Sequence, residues 1–163
     1  MTLRIFIIAF LLILAGASGS GCSKKVADNT MAQTEQSAEA EDAARNLEEA
    51  KRLVVLEKIY FAFDSSDLNS RSREVLTRKA EVLRQEQRLR VIIEGHCDER
   101  GSNEYNLALG ERRAQAAFRF LVNLGITASQ LETISYGEER PADAGHGEAA
   151  WALNRRDEFR LVW

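Results

Sequence analysis

The sequence has little of several residue types that mark other classes of protein. Its 163 residues include one proline, two cysteines and two histidines, and two cysteines are too few for a disulfide-rich fold. Lys and Arg total 22 against 25 Asp and Glu, a net charge of -3. This balance lacks the basic excess of nucleic-acid-binding domains. With 45% hydrophobic and 29% charged residues, the composition is typical of a soluble globular protein.

The longest apolar run lies near the N-terminus and is too short to cross a membrane. It covers residues 5–14 and follows Arg4 directly, whereas a spanning helix needs about 20 apolar residues. Small residues continue from Ala15 to Gly21. A positive residue, a short apolar run and small residues are typical of a signal peptide, which we predict over residues 1–21.

Cys22 follows these small residues and resembles the lipobox cysteine of bacterial lipoproteins. Gly19 stands where that motif usually has leucine. The resemblance implies that the chain is cut before Cys22 and that this residue carries acyl chains such as palmitate, which together anchor a protein stably. Ser23 in place of Asp implies an outer-membrane location facing the periplasm. The alternative is an ordinary secreted protein with a chance cysteine at its cleavage site.

The rest of the chain divides into a polar segment and a patterned domain. Residues 22–56 begin with small polar residues that have little to bury, so we predict a flexible tether to about residue 45 and a short helix over 46–57. Residues 57–163 alternate between strand and helix periods, in the order β-α-β-α-β-α-β, which predicts a single α/β sandwich. Strands are predicted near 59–63, 89–95, 132–136 and 159–163, and helices near 69–87, 103–124 and 149–155.

Residues 95–102, GHCDERGS, form the densest polar cluster, and three interpretations of it stay open. Residues 96–99 could hold a metal, but neighbouring residues at a strand end point in opposing directions and zinc sites use spaced ligands. Cys97 beside His96 could be a nucleophile, although catalytic Cys and His usually meet from distant segments. The third interpretation is a polar loop held by internal hydrogen bonds, with glycines at its turns. We therefore assign no metal ligand and no catalytic residue here.

Arg113 stands out on the helix predicted over residues 103–124. It lines up with Leu109 and Ala117 at the edge of the apolar stripe, whereas Arg112 falls on the solvated face. A guanidinium at the edge of a core costs free energy unless it is paired, and Asp98 in the preceding loop is the obvious neighbour. Spacing leaves two alternatives open: an internal Asp98–Arg113 salt bridge, or a ligand shared by the two side chains.

Several long motifs carry a family resemblance. They are YFAFD at 60–64, GHCDERGS at 95–102, EYNLALGERRA at 104–114, SYGEERP at 135–141 and NRR at 154–156. Together they resemble the peptidoglycan-associated lipoproteins of the Tol-Pal system, members of the OmpA C-terminal domain family. The resemblance covers residues 57–163, and it implies that family's fold, a mixed sheet covered by helices.

The resemblance also implies a function, which is binding and not catalysis. Members bind peptidoglycan non-covalently through meso-diaminopimelate of the stem peptide, whose free end carries an ammonium beside a carboxylate. Asp98 and Arg113 stand at the family's positions for these two charges, an acid and an arginine fork. Further contacts are carried over to Phe63, Asp64, Arg100, Ser102, Asn106 and Leu109.

Partners and remaining alternatives follow from the same resemblance. It implies the periplasmic protein TolB as a partner, a part in envelope integrity and cell division, and no cofactor. Cys97 stands at a variable position, and residues 154–156 are interpreted as structural or partner-facing. Two other functions stay open: an OmpA-like wall-binding lipoprotein without TolB, and an envelope hydrolase that uses His96 and Cys97.

Overall fold

The computed structural model describes residues 24–162, with side chains from residue 38 onward except those of residues 39 and 50. The predicted signal peptide and the predicted lipidation of Cys22 lie outside these residues. The chain divides into two compact units at residues 41 and 42. The described part of the first unit is helical, and the second unit contains the whole sheet. Over the described range, no helix combines the length and the apolar character that a membrane span requires.

Helix α1 runs from Lys24 to Leu56. The short helix predicted over 46–57 is confirmed, but the helix also covers residues 24–45, for which composition predicted disorder. This stretch has no glycine or proline and is rich in Ala, Glu, Gln and Lys, which are among the strongest helix formers. The disorder prediction considered only how much apolar surface residues 24–45 could bury, and it left out the helix propensity of these residues.

A four-stranded mixed sheet forms the centre of the second unit. Its strand order is β1-β4-β2-β3, in which β2 and β3 are parallel and β4 is antiparallel to both of its neighbours. The parallel pair requires a crossover between β2 and β3, and a long helix supplies it. The predicted α/β class is confirmed. The strands are β1 (Ile59–Tyr60), β2 (Arg90–His96), β3 (Leu131–Gly137) and β4 (Arg156–Val162).

Two helices pack on one face of this sheet. They are α2 (Ser70–Gln85) and α3 (Asn103–Asn123), and their apolar stripes share a core with inward-facing strand residues such as Ile93 and Phe159. Burial of each such side chain contributes about 1.5–3 kcal/mol to folding. A 3₁₀ turn (Ala128–Gln130) precedes β3, and α4 (Glu148–Asn154) precedes β4.

The first strand is shorter than predicted, and this changes the place of Phe63. The predicted strand over 59–63 would place Phe63 on the same face as Ile59 and Phe61, but β1 ends at Tyr60. Phe61 is buried, whereas Phe63 is 58% exposed. The chain turns at Asp64, whose φ of 52° lies in the left-handed region that Asp tolerates better than most residues. Phe63 is therefore presented at the surface beside this turn.

Gly95 is a packing residue and not the turn residue that we predicted. It lies in β2, and a Cβ atom there would collide with the carbonyl oxygen of Gly110 in α3. The two glycines let α3 lie directly against β2. This close approach sets the position of α3 relative to β2. The loop that joins these two elements and the first turns of α3 both contribute to the site described next.

Candidate functional site

One cavity of 210 Å³ brings together seven of the eight sequence-predicted contact residues. It lies between the turn after β1, the β2–α3 loop and the first turns of α3. Ser102 is the exception, because its hydroxyl caps α3 by accepting a hydrogen bond from the backbone N–H of Tyr105 at 3.3 Å. Ser102 therefore positions the helix, as N-terminal caps do, in place of the predicted contact. The lining residues are Phe63, Asp64, Cys97, Asp98, Arg100, Gly101, Tyr105, Asn106, Leu109 and Arg113.

Arg113 lies at the base of the cavity with its side chain fully buried. Nε donates to the carbonyl oxygen of Ser65 at 2.8 Å, Nη1 to that of His96 at 2.8 Å and Nη2 to that of Ala62 at 3.2 Å. Burial lowers its pKa, but a guanidinium in a protein keeps its proton. No described carboxylate forms an ion pair with it. The cavity therefore contains a positive charge held by carbonyl dipoles, which favours an anionic group.

Asp98 is paired with two other arginines, so the alternative of an internal Asp98–Arg113 salt bridge is wrong. Arg100 grips the carboxylate with Nε at 3.0 Å from Oδ1 and Nη2 at 2.9 Å from Oδ2. Nη1 of Arg155 lies 3.2 Å from Oδ2. Burial opposes ionisation, but these hydrogen bonds outweigh it and lower the pKa of Asp98. Asp98 is thus a buried carboxylate at neutral pH.

The guanidinium of Arg100 also forms one wall of the site. It lies 4.0 Å from the ring centroid of Phe63 and 4.2 Å from that of Trp151, distances at which cation–π attraction operates. Trp151 is held in turn by Glu99, whose Oε1 accepts from the indole N–H at 2.8 Å. An aromatic ring on each side therefore holds Arg100 over Asp98.

Tyr105 and Cys97 line the cavity but were not predicted to do so. The hydroxyl of Tyr105 donates to Asp64 Oδ1, which connects α3 to the turn after β1. Tyr105, Leu109 and Arg113 follow one another at a spacing of four on α3, and residues at this spacing share a helix face. Extending that face by one turn from Leu109 would have identified Tyr105.

The chemistry of residues 96–99 does not support the nucleophile or the metal interpretation proposed for that run. Burial raises the pKa of Cys97 to about 11, so its thiol stays protonated, whereas a nucleophilic cysteine needs a lowered pKa. Its Sγ contacts the carbonyl oxygen of Asn106 at 3.2 Å. Asp98 binds arginines, and Glu99 binds His146 at 2.8 Å as well as Trp151. Cys97, Asp98 and Glu99 thus contact separate partners.

The NRR run at residues 154–156 has structural contacts, in line with the structural part of its interpretation as structural or partner-facing. The Asn154 side chain accepts from the backbone N–H groups of Ala142 and Asp143 at 2.8 and 3.0 Å. Arg155 also donates to the carbonyl oxygen of Phe61 at 3.2 Å. Arg155 has more bearing on the site than the sequence indicated, because it supports both Asp98 and the segment that leads into the turn.

Comparison with known proteins agrees with this geometry. Residues 60–155 match the OmpA family. The chain belongs to the OmpA family. It is 43% identical over 155 residues to the peptidoglycan-associated lipoprotein of Pseudomonas putida, covering 91% of this chain and 93% of that one. It is 44% identical over 144 residues to that of Pseudomonas aeruginosa, covering 88% and 83%. The family predicted from the sequence motifs is confirmed.

Solved structures of this OmpA-family fold give the same result. The crystal structure of the peptidoglycan-associated lipoprotein from Burkholderia pseudomallei has a TM-score of 0.63 at 41% identity, covering 64% of this chain and 89% of that chain. The C-terminal domain of Helicobacter pylori MotB has a TM-score of 0.61 at 20% identity, covering 66% and 84%. At that identity the likeness concerns the fold alone.

Proposed function

We propose that this OmpA-family chain is a lipoprotein of the cell envelope that binds peptidoglycan non-covalently. The observation that carries the proposal is the fully buried Arg113, which forms no ion pair with a described carboxylate and lies in one cavity with the buried carboxylate of Asp98. A cavity lined by charges of both signs suits a zwitterion. The names of its relatives from two Pseudomonas species support peptidoglycan as the source of that group.

The ligand group that fits is the free end of meso-diaminopimelate. Arg113 would bind its carboxylate and Asp98 its ammonium. Arg113 has five N–H groups, of which three donate to carbonyl oxygens and a fourth faces Cys97 Sγ at 3.5 Å. One N–H on Nη2 remains, so a two-pronged grip requires release of the long Cys97 contact. That contact is the weakest of the four.

Asp98 must also release a partner before an ammonium can bind. Each carboxylate oxygen already accepts two hydrogen bonds from Arg100 or Arg155, which fills the lone pairs of the group. Arg155 is buried, whereas the Arg100 side chain is 29% exposed. We infer that Arg100 moves from Asp98 as the ligand enters. In this role Arg100 acts as a displaceable counter-ion.

Sedimentation with purified sacculi tests the site. We expect Asp98→Asn and Arg113→Met to abolish co-sedimentation, because each removes one fixed charge from the cavity. Asp67→Asn and Arg112→Met are matched controls on exposed side chains and should sediment like wild type. Circular dichroism must show that each variant is folded. Folded site variants that still sediment at the wild-type level would rule out this assignment.

A competition experiment tests the ligand group itself. Free meso-diaminopimelate should release the chain from sacculi, whereas 1,5-diaminopentane should not, because it has no carboxylate and leaves Arg113 unpaired. Equal release by the two compounds would show that the carboxylate contributes nothing and would exclude Arg113 as its receptor.

The proposed partners and location need separate tests. We propose that acyl chains on Cys22 hold the chain in the outer membrane, that residues 22–56 connect this anchor to the domain, and that TolB binds the domain during envelope maintenance and division. Palmitate labelling should be lost in Cys22→Ser, and the wild-type chain should fractionate with the outer membrane. Co-purification of TolB is expected. Wall binding without TolB would favour the other OmpA-like alternative.

A further inference from the structure

A second polar cluster lies on the opposite face of the sheet from the core. Val91 and Ile93 of β2 point into the core, and side chains alternate along a strand, so Glu94 points to the opposite face. Glu94 is paired in register with Glu158 of β4, and side chains paired across strands lie on one face. The register shifts between Gly95 and His96, but the His96 ring still lies beside both carboxylates. One ligand atom from each of the three side chains lies within 4.8 Å of the other two.

His96 is the member of this cluster whose buried ring nitrogens lack described partners. It is 2% exposed, and neither ring nitrogen has a hydrogen-bond partner among the described residues. Leaving a buried polar group unsatisfied costs about 1–3 kcal/mol. Imidazole is the commonest metal-binding side chain and can bind through either ring nitrogen.

Basic side chains hold the carboxylates of Glu94 and Glu158 through one oxygen of each. Arg160 Nε donates to Glu94 Oε1 at 2.7 Å. Lys58 Nζ and Arg156 Nε both donate to Glu158 Oε1, at 2.8 and 2.7 Å. Among the described side chains, these bonds reach only Oε1 of each group. Hydrogen bonds of this kind orient the carboxylates that bind metals.

We propose that Glu94, His96 and Glu158 form a binding site for a divalent transition-metal cation, for which Zn²⁺ is the best match. One imidazole and two carboxylates are ligands that Zn²⁺ accepts, and three protein ligands leave a fourth position for water. A metal would satisfy the buried imidazole. The Glu158 side chain is 30% exposed, so the site has a route to solvent. Motif spacing could not indicate it, because Glu158 lies far from the other two ligands in sequence.

The proposal does not depend on peptidoglycan binding, and the chain supplies its own control. Only two histidines are present, and His146 lies on an exposed loop. The full-length chain, freed of metal with a chelator, is titrated with Zn²⁺ by calorimetry. Long-range ¹H–¹⁵N spectra follow the ring nitrogens of both histidines, which His146→Asn assigns.

We expect the ring signals of His96 to shift at one equivalent of Zn²⁺. His96→Asn and Glu158→Gln should each weaken binding at least about tenfold, the effect typical of lost metal-site groups, whereas His146→Asn should leave the affinity unchanged. Unshifted His96 signals at saturating Zn²⁺ would overturn the proposal. Equal Zn²⁺ affinity of Glu158→Gln and wild type would also overturn the proposal. This second variant keeps the test valid if His96→Asn fails to fold.

Discussion

Lys79 makes the stability of the domain depend on pH in the direction opposite to that of a lysine whose pKa is raised by a partner. Its whole side chain is buried, with 1% exposed. Nζ donates to the carbonyl oxygen of Val54 near the end of α1, and it lies 4.2 Å from the ring centroid of Phe159. Burial, opposed by the charge of Glu57, lowers the pKa of Lys79 from 10.5 to about 7.

The size and sign of the effect follow from proton linkage. Between these two pKa values the unfolded chain holds a proton that the folded domain lacks, so the free energy of unfolding rises with pH. The contribution is fully present above pH 10.5 and is lost as the pH falls to about 7. The steepest slope is about 1.4 kcal/mol per pH unit, and the shift as a whole corresponds to about 5 kcal/mol.

Urea unfolding followed by circular dichroism measures this slope. Lys79→Met keeps the length of the side chain and removes the titrating group. The difference in unfolding free energy between wild type and Lys79→Met should increase by about 1.4 kcal/mol per pH unit between about pH 7.5 and 10. Arg88→Met removes a cation from an exposed side chain and should follow wild type. A difference that stays level across this range would refute the reasoning, as would one that falls.

Three further predictions concern single buried residues. Asp157 is fully buried, neither of its carboxylate oxygens has a described partner, and burial raises its pKa well above the usual value. Asp157→Val should therefore raise the free energy of unfolding in urea by about 1–3 kcal/mol. A lower free energy of unfolding would contradict this. Gly95→Ala should lower it by about 3 kcal/mol, because the new methyl group meets the backbone of Gly110; an unchanged midpoint would show that α3 moves freely. Cys97, with its pKa near 11 and its thiol buried, should resist iodoacetamide in the folded chain at pH 8, and rapid labelling detected by mass spectrometry would disprove its burial.

The order of helices and strands could be predicted because each element has a clear period. In β2 the alternation of Val91 and Ile93 follows the pleat, and both residues are buried. The same alternation misled at Phe63, because pairing of β1 with β4 covers only two residues. The strand ends there for a reason that lies in its partner, and local sequence does not contain it.

The sequence predicted most of the residues that line the cavity, but not which of their charged side chains pair. Motif positions identified Asp98 and Arg113, and both line the cavity. The alternative of a salt bridge between them is excluded among the described side chains, because Asp98 is paired with Arg100 and with Arg155 from the far end of the chain. Distant residues meet only through the arrangement of α4 and β4, which periodicity does not define. The same limit hid the approach of Glu158 to His96.

The short first strand determines how the domain would respond to a pull between the proposed membrane anchor and the peptidoglycan. A pull on α1 enters the domain at the end of that helix and reaches β1, whose residues Ile59 and Tyr60 pair with β4. Other attachments share the force, among them the buried Val54 side chain, the Lys79 bond to its carbonyl oxygen and the Lys58–Glu158 ion pair. The turn that carries Phe63 and Asp64 follows directly. Tension strong enough to peel β1 from the sheet would therefore distort the ligand cavity before the central strands separate, so that the domain would release its ligand under load while its core stays folded.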